Sequence, residues 1–347
     1  MAHGTSTRCR PRTRRSSAHT TPEVLSRRAP AAKRGRTELF KDPRLTHTRR
    51  LVTSAFPGPI WAERTPVRFI HRGAWSDTVE AHALGDAEKV SAIKVAEAGG
   101  ELETLTEAWA RAAVEVAEAV SHPCISTYRS VQIVDGFLSA EREYVQGVDL
   151  ATAIRTGGPA PGAVAVGIAH AAAEGVAAVH AAGFVAGRVS PSHVLVGRDG
   201  RVRVLHAVTP EGAGHVNRER AANVDREVAF ASPERFAGAA VTRASDVFSV
   251  AAVLHLLAVG RPGIPIEHRL GRVLARRGAV LLRSDTPVTG LPPEITAIVS
   301  AALSGDAEHR PSIEELQSAL ASAAASTDEI ATWTRAVLGA AALGAST

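Results

Sequence analysis

The stretch from Gly183 to Val208, GFVAGRVSPSHVLVGRDGRVRVLHAV, constrains the fold of this chain more than any other. It follows an alanine-rich segment expected to be helical from about Ala163 to Ala182. It reads as a loop, a strand from His193 to Val196, a turn at Arg198-Asp199-Gly200, and a second strand from Arg201 to Leu205. A long helix, a loop and a tight hairpin in that order give a frame to which the rest of the chain is aligned.

Upstream, short strands are expected at Val67–His71, Thr78–Leu84 and Val90–Ala96, with a turn at Gly85-Asp86. A helix from about Leu102 to Val120 is stopped by His122-Pro123-Cys124-Ile125. Two more strands, Ser126–Val134 and Gly136–Tyr144, complete a five-stranded sheet carrying one helix. Downstream, Ser245-Asp246-Val247-Phe248-Ser249 opens an apolar helix running to Val259, and His309-Arg310-Pro311-Ser312 opens a further one.

With these motifs in order, the chain resembles a eukaryotic-like protein kinase domain of the bacterial Ser/Thr type from about Val67 to Leu320. Ser91-Ala92-Ile93-Lys94 resembles the third N-lobe strand, and Glu143-Tyr144-Val145-Gln146-Gly147 the hinge. Ala231-Ser232-Pro233-Glu234-Arg235 is similar to the end of an activation segment. More loosely, the chain resembles the pseudokinase domain that some high-GC bacteria attach to their lipid II flippase, without its membrane helices. The resemblance implies an α+β, two-lobe fold. A disordered basic tail (1–60) precedes an N-lobe (67–145) of small β-sheet and one helix, a larger helical C-lobe (146–320), and an alanine-rich extension (321–347). It also implies three structural roles. Glu234 would pair with Arg310, and Asp246 would accept hydrogen bonds from amides of the Gly187–Val189 loop.

Phosphoryl transfer needs a carboxylate to orient the attacking hydroxyl, groups to hold magnesium, and cations on the phosphates. Aligned on Pro191-Ser192, the family's catalytic His-Arg-Asp falls on Ala186, Gly187 and Arg188, so the proton-accepting Asp is replaced by a group that is no base near neutral pH. The loop Lys becomes Ser190. The metal-binding Asn becomes His193, a poor ligand for magnesium, and His206 replaces the Asp of Asp-Phe-Gly. The glycine-loop position, Arg72–Val79, supplies one glycine, with Asp77 adding negative charge. The helix glutamate falls on Ala113, with Glu115 on another face. Lys94 is retained, one of four lysines among 40 basic residues. It reads either as a nucleotide contact or as a snorkelling surface lysine. ATP, if it binds, would meet Lys94, Glu143 and Val145 without the normal magnesium ligands. Arg142 precedes the hinge, where a cation is hard to bury unpaired. From His206 to Glu234 the only hydroxyl residues are Thr209 and Ser232, Glu227 stands where a Thr is usual, and Arg218, Arg220 and Arg226 lack a phosphoacceptor to meet.

Composition closes off other classes. No histidine is spaced for a metal site, and neither a Gly-x-Ser-x-Gly elbow nor a Walker loop is present. His170 and His180 read as packing or surface residues. Two cysteines, Cys9 and Cys124, suit a reducing compartment, with Cys124 a small core residue. No spanning helix is expected, Ala336–Gly344 being the longest apolar candidate, and no secretory signal is read, so the chain is placed in the cytoplasm. The net charge of +5 is concentrated in the first fifty residues, whose only acids are Glu23, Glu38 and Asp42. Such a tail either binds nucleic acid, an anionic membrane or an acidic partner, or is a solvated extension, and the second reading is preferred because Phe40 is its only aromatic before residue 50. At the other end, Ile330, Trp333 and Val337 form one apolar stripe that packs on the C-lobe or contacts a partner.

The sequence therefore points to a catalytically inactive, kinase-like module that binds a protein partner, with no catalytic and no metal residue assigned. Two alternatives stand beside it: an active or atypical Ser/Thr kinase using other residues, and a fold that only presents the basic tail.

Overall fold

The computed structural model describes residues 58–61, 63–72, 76–97, 103–205, 229–237, 239–261 and 290–344. The basic tail up to residue 57, His206, and the segment holding Thr209, Arg218, Arg220, Arg226 and Glu227 lie outside them.

The N-terminal part is a five-stranded antiparallel sheet with one helix. Strands β1 (Arg64–Arg72), β2 (Asp77–Ala83) and β3 (Asp86–Glu97) form a meander. Helix α1 (Glu103–Ala119) follows, then β4 (Ile125–Ser126), β5 (Tyr128–Val134) and β6 (Phe137–Glu143). The spatial order is β1-β2-β3-β6-β5. The strand expected from Ser126 is thus divided, because β4 leaves this sheet and pairs in parallel with a strand from the helical part.

Alternation gives each face of the sheet its own partner. Val79, Ala81, Ile93 and Val95 are buried on the outer face beneath Ile60 and Trp61, from a short 3-10 turn at Gly58–Trp61. The same face carries a polar clasp, in which Glu141 accepts from Arg64 at 2.8–3.1 Å and from Ser91 at 2.6 Å. The opposite face carries Ala96, Leu138 and Ala140 against Ala110 and Ala113 of α1.

The C-terminal part is helical around a small second sheet. Strand β7 (Gly147–Asp149) leads into α2 (Leu150–Gly157), and α3 (Gly162–Ala181) leads into a 3-10 turn (Pro191–His193), β8 (Val194–Gly197) and β9 (Val202–Leu205). The sheet order is β4-β9-β8-β7. Helices α4 (Pro233–Ala237), α5 (Arg243–Val259), α6 (Pro293–Ala302), α7 (Ile313–Ala321) and α8 (Thr327–Gly344) complete it. His193 therefore closes the 3-10 turn and does not begin the strand.

Helix α3 is apolar nearly all round, as a central helix must be. Ile168, Ala169, Ala173, Val176 and Val179 are fully buried against Phe248, Leu254 and Leu257 of α5 and Leu316 and Leu320 of α7. By length and composition α3 could cross a membrane, which makes it, and not Ala336–Gly344, the longest apolar candidate among the described residues, but most of it is buried within this core. Helix α8 docks through Ile330 and Val337, the latter against Val148 and Ala153. Gly200 makes this possible. Its φ is +80°, and a Cβ there would stand 1.9 Å from the Thr327 carbonyl oxygen.

Candidate functional site

The loop between α3 and the 3-10 turn is held from below. Asp246, 1% exposed on α5, accepts the amides of Ala186 (2.8 Å) and Gly187 (2.6 Å) and sits 2.8 Å from His180 Nε2. The amides lie one residue earlier than the Gly187–Val189 expectation. Gly187, at φ +70°, closes a tight turn in which the Arg188 amide donates to the Ala186 carbonyl, and so aims the earlier pair of amides downward. Arg235 donates to the Gly187 carbonyl at 2.7 Å. His180, read from sequence as packing or surface, is a member of this buried anchor, paired across 66 residues with no local signal to mark it.

A second anchor joins the end of the activation-like segment to the lower helices. Arg310 donates to both oxygens of Glu234 at 2.8 and 2.9 Å, Ser245 Oγ adds a bond of 2.6 Å, and the guanidinium lies 5.1 Å from the centre of the Phe248 ring. Burial alone would push the Glu234 carboxyl up, but the bonds from Arg310 and Ser245 outweigh it and hold it at about 2.

The loop's own side chains offer cations and hydroxyls. Arg188 is exposed. His193 Nδ1 lies 3.0 Å from the Arg188 carbonyl and 3.1 Å from Ser190 Oγ, which in turn lies 3.3 Å from Ser192 Oγ. Because a carbonyl only accepts, Nδ1 carries the proton, and the ring braces the loop. From Ala186 to His193 there is no carboxylate.

Above this loop, the strand register places one residue from each strand in a single transverse row: Arg68, Glu80, Ala92, Arg142 and Tyr128. Directly opposed residues share a face, and this face also carries Lys94, between Thr78 and Ala140. Charges therefore dominate the row. Arg68 Nη2 lies 2.8 Å from Glu80 and donates to Tyr144 Oη at 3.2 Å, and His82 Nε2 is 3.7 Å from Glu80. Burial and then the Glu80 carboxylate raise the Tyr144 phenol, against Arg68.

Arg142 is 7% exposed, so the cation before the hinge is indeed buried, and burial lowers its pKa against the opposing influence of Tyr128 and Glu143. It donates to the Glu143 carbonyl at 3.2 Å. Burial also raises the Tyr128 phenol, while Arg142 and Arg188 both act to lower it.

The remaining expected residues are placed as follows. Lys94 is partly buried, Glu143 exposed and Val145 partly buried. Ala113 faces the sheet and Glu115 faces solvent. Cys124 is partly buried, with its thiol pushed up to about 11 by burial and then by Glu174, against Arg203. Among the described residues no cluster of three metal-ligating side chains occurs. The row of Arg68, Glu80, Arg142 and Tyr128 was missed in sequence. Its only signal was polar residues at alternate positions of short strands, and β-bulges between Pro66 and Arg68 and between Phe69 and His71 obscure that phase.

Residues 66–320 match the family model described as Protein kinase domain. Among similar proteins, the serine/threonine-protein kinase AfsK of Streptomyces coelicolor is 30% identical over 51% of this chain and 22% of its own length. The probable serine/threonine-protein kinase PkwA of Thermomonospora curvata is 28% identical over 55% of the chain and 26% of its own. The serine/threonine-protein kinase PknE of Mycobacterium tuberculosis is 23% identical over 70% of the chain and 43% of its own. The chain thus spans less than half the length of each of these relatives.

Proposed function

The chain belongs to the protein kinase family, and from that premise we propose that it is a pseudokinase, a regulatory module whose lobes bind a protein partner and do not transfer phosphoryl groups. One observation carries this reading. The loop is anchored as a catalytic loop should be, by Asp246 on the Ala186 and Gly187 amides, yet it presents Arg188 where a carboxylate would accept the substrate proton. The charged row that includes Glu80 and Arg142 adds support, because a purine base is normally received by apolar surface and would here have to desolvate an ion pair. The same reading keeps the chain in the cytoplasm and leaves the basic tail an accessory.

An active serine/threonine kinase is the second reading, favoured by the printed names of the relatives and by Lys94 on the cleft face of β3. Incubation of the full chain with labelled ATP, magnesium or manganese, and a generic protein substrate separates the two. We expect no label above background on substrate or chain. Transfer that scales with enzyme and disappears in Lys94→Met would overturn the proposal. Deletion of residues 1–59 with partner capture unchanged would remove the tail as the binding element.

A further inference from the structure

Helix α8 lies outside residues 66–320, the part of the chain that matches the kinase family, yet three elements of the matched part leave room for it. A Cβ on Gly157, at the end of α2, would stand 2.9 Å from the Val337 side chain. One on Gly167 of α3 would stand 2.8 Å from the Ala325 carbonyl oxygen and 3.1 Å from Ile330, and the Ala325 amide donates to the Ala163 carbonyl at 2.9 Å. Gly200, in the turn between β8 and β9, makes the same room for Thr327. The two halves of α8 meet different neighbours. Ile330 joins the main core around α3. Val337 instead forms a small separate cluster with Val148 of β7 and Ala153 of α2, against which Trp333 and Leu338 pack. Leu150 faces the main core, so α2 is gripped between that core and α8. Val148 and Ala153 follow directly on the hinge-like segment Glu143–Gly147, and a backbone path runs the same way. The Arg198 amide donates to the Gln146 carbonyl at 2.9 Å, and Arg335 of α8 donates to the Arg198 carbonyl at 3.3 Å.

We propose that α8 is a regulatory strap on the hinge: docked, it fixes β7 and the start of α2, and lifted, it frees them and with them the connection between the lobes. A cluster of so few apolar side chains opens at a lower free energy than the main core, where α3, α5 and α7 meet, so the strap can lift while the fold stands. The outward residues of α8, among them Asp328, Glu329, Thr332 and Arg335, are exposed and polar, so its one apolar face is used on the C-lobe. Coupling of this kind is reciprocal, and whatever stiffens the hinge also holds α8 down. The inference goes beyond the pseudokinase reading and does not depend on it, since the hinge of an active kinase would be held by the same contacts.

The test is native-state hydrogen exchange of the full chain, comparing wild type with Val337→Asp, which sets a charge against Val148 and Ala153. Protection of α8 and of the segment from Gln146 to Ala153 should fall together, at least about tenfold, while that of α5 stays within about twofold. Gly200→Ala, which crowds Thr327 at the other end of the helix, should lower the same two segments by a smaller factor. Should Val337→Asp fail to fold, Val337→Ala takes its place, with a loss of about threefold or more in both segments. A loss confined to α8 would overturn the proposal, because the hinge exit would then hold itself. An equal loss in α5 would do the same by making α8 one more piece of the core, and so would unchanged exchange throughout. Label transfer from magnesium ATP by the wild type would count against the pseudokinase reading and leave the strap standing.

Discussion

Two groups of charges in this chain are built on different principles. Below the loop, Asp246 has three donors and Glu234 has Arg310 and Ser245, so each buried charge is matched from within the chain. In the N-terminal sheet, Arg142 is buried opposite Tyr128, donates to the Glu143 carbonyl, and has no carboxylate within ion-pairing distance among the described residues. Closed networks of the first kind define a single structure, whereas a buried cation without a carboxylate costs stability.

Removing an anchor should therefore cost most. Asp246→Ala leaves two buried amides and His180 without an acceptor, and a loss of about 3–5 kcal/mol in urea unfolding is expected. A loss under about 1 kcal/mol would show that the lower network is not the closed one described. Next in size is the pH response of Glu234. Its folded pKa is depressed from 4.5 to about 2, so its stabilising contribution is present above pH 4.5 and is lost as pH falls through 2. Stability measured across that window should fall more steeply in wild type than in Glu234→Gln, and equal slopes would count against the pair with Arg310.

Above the loop the sign should reverse. Arg142→Met exchanges a buried cation for an apolar side chain of similar reach, and a gain of about 1–3 kcal/mol is expected in urea unfolding. If this variant is instead destabilised as much as Asp246→Ala, the two groups of charges are of one kind and the contrast between them fails.

The sequence carried the lower network and hid the upper one, for physical reasons. Glu234, Asp246 and Arg310 stand in short motifs whose spacing is kept by turns and helix starts, so their places could be read before their contacts were known. Likewise, the long apolar run of α3 and the Gly200 turn announced themselves by composition and conformation. The row from Arg68 to Tyr128 depends on strand register, and a slip of one residue turns Glu80 outward and Val79 inward. His180 meets Asp246, and α8 meets the β8–β9 turn, only after helices far apart in sequence have packed. Arg142 was legible as an anomaly, a cation where an apolar residue is usual. That its burial lacks a carboxylate among the described residues required the structure.

The smallest expected effect is the most diagnostic. Arg188→Asp restores the carboxylate at the position of the proton acceptor, and a kinase needing only that residue would regain label transfer. None is expected, because His193 is engaged with the loop backbone and His206 stands at the other metal position. Stability should change by no more than about 0.5 kcal/mol, because the position is exposed. A variant that gains transfer would reassign the cleft to catalysis.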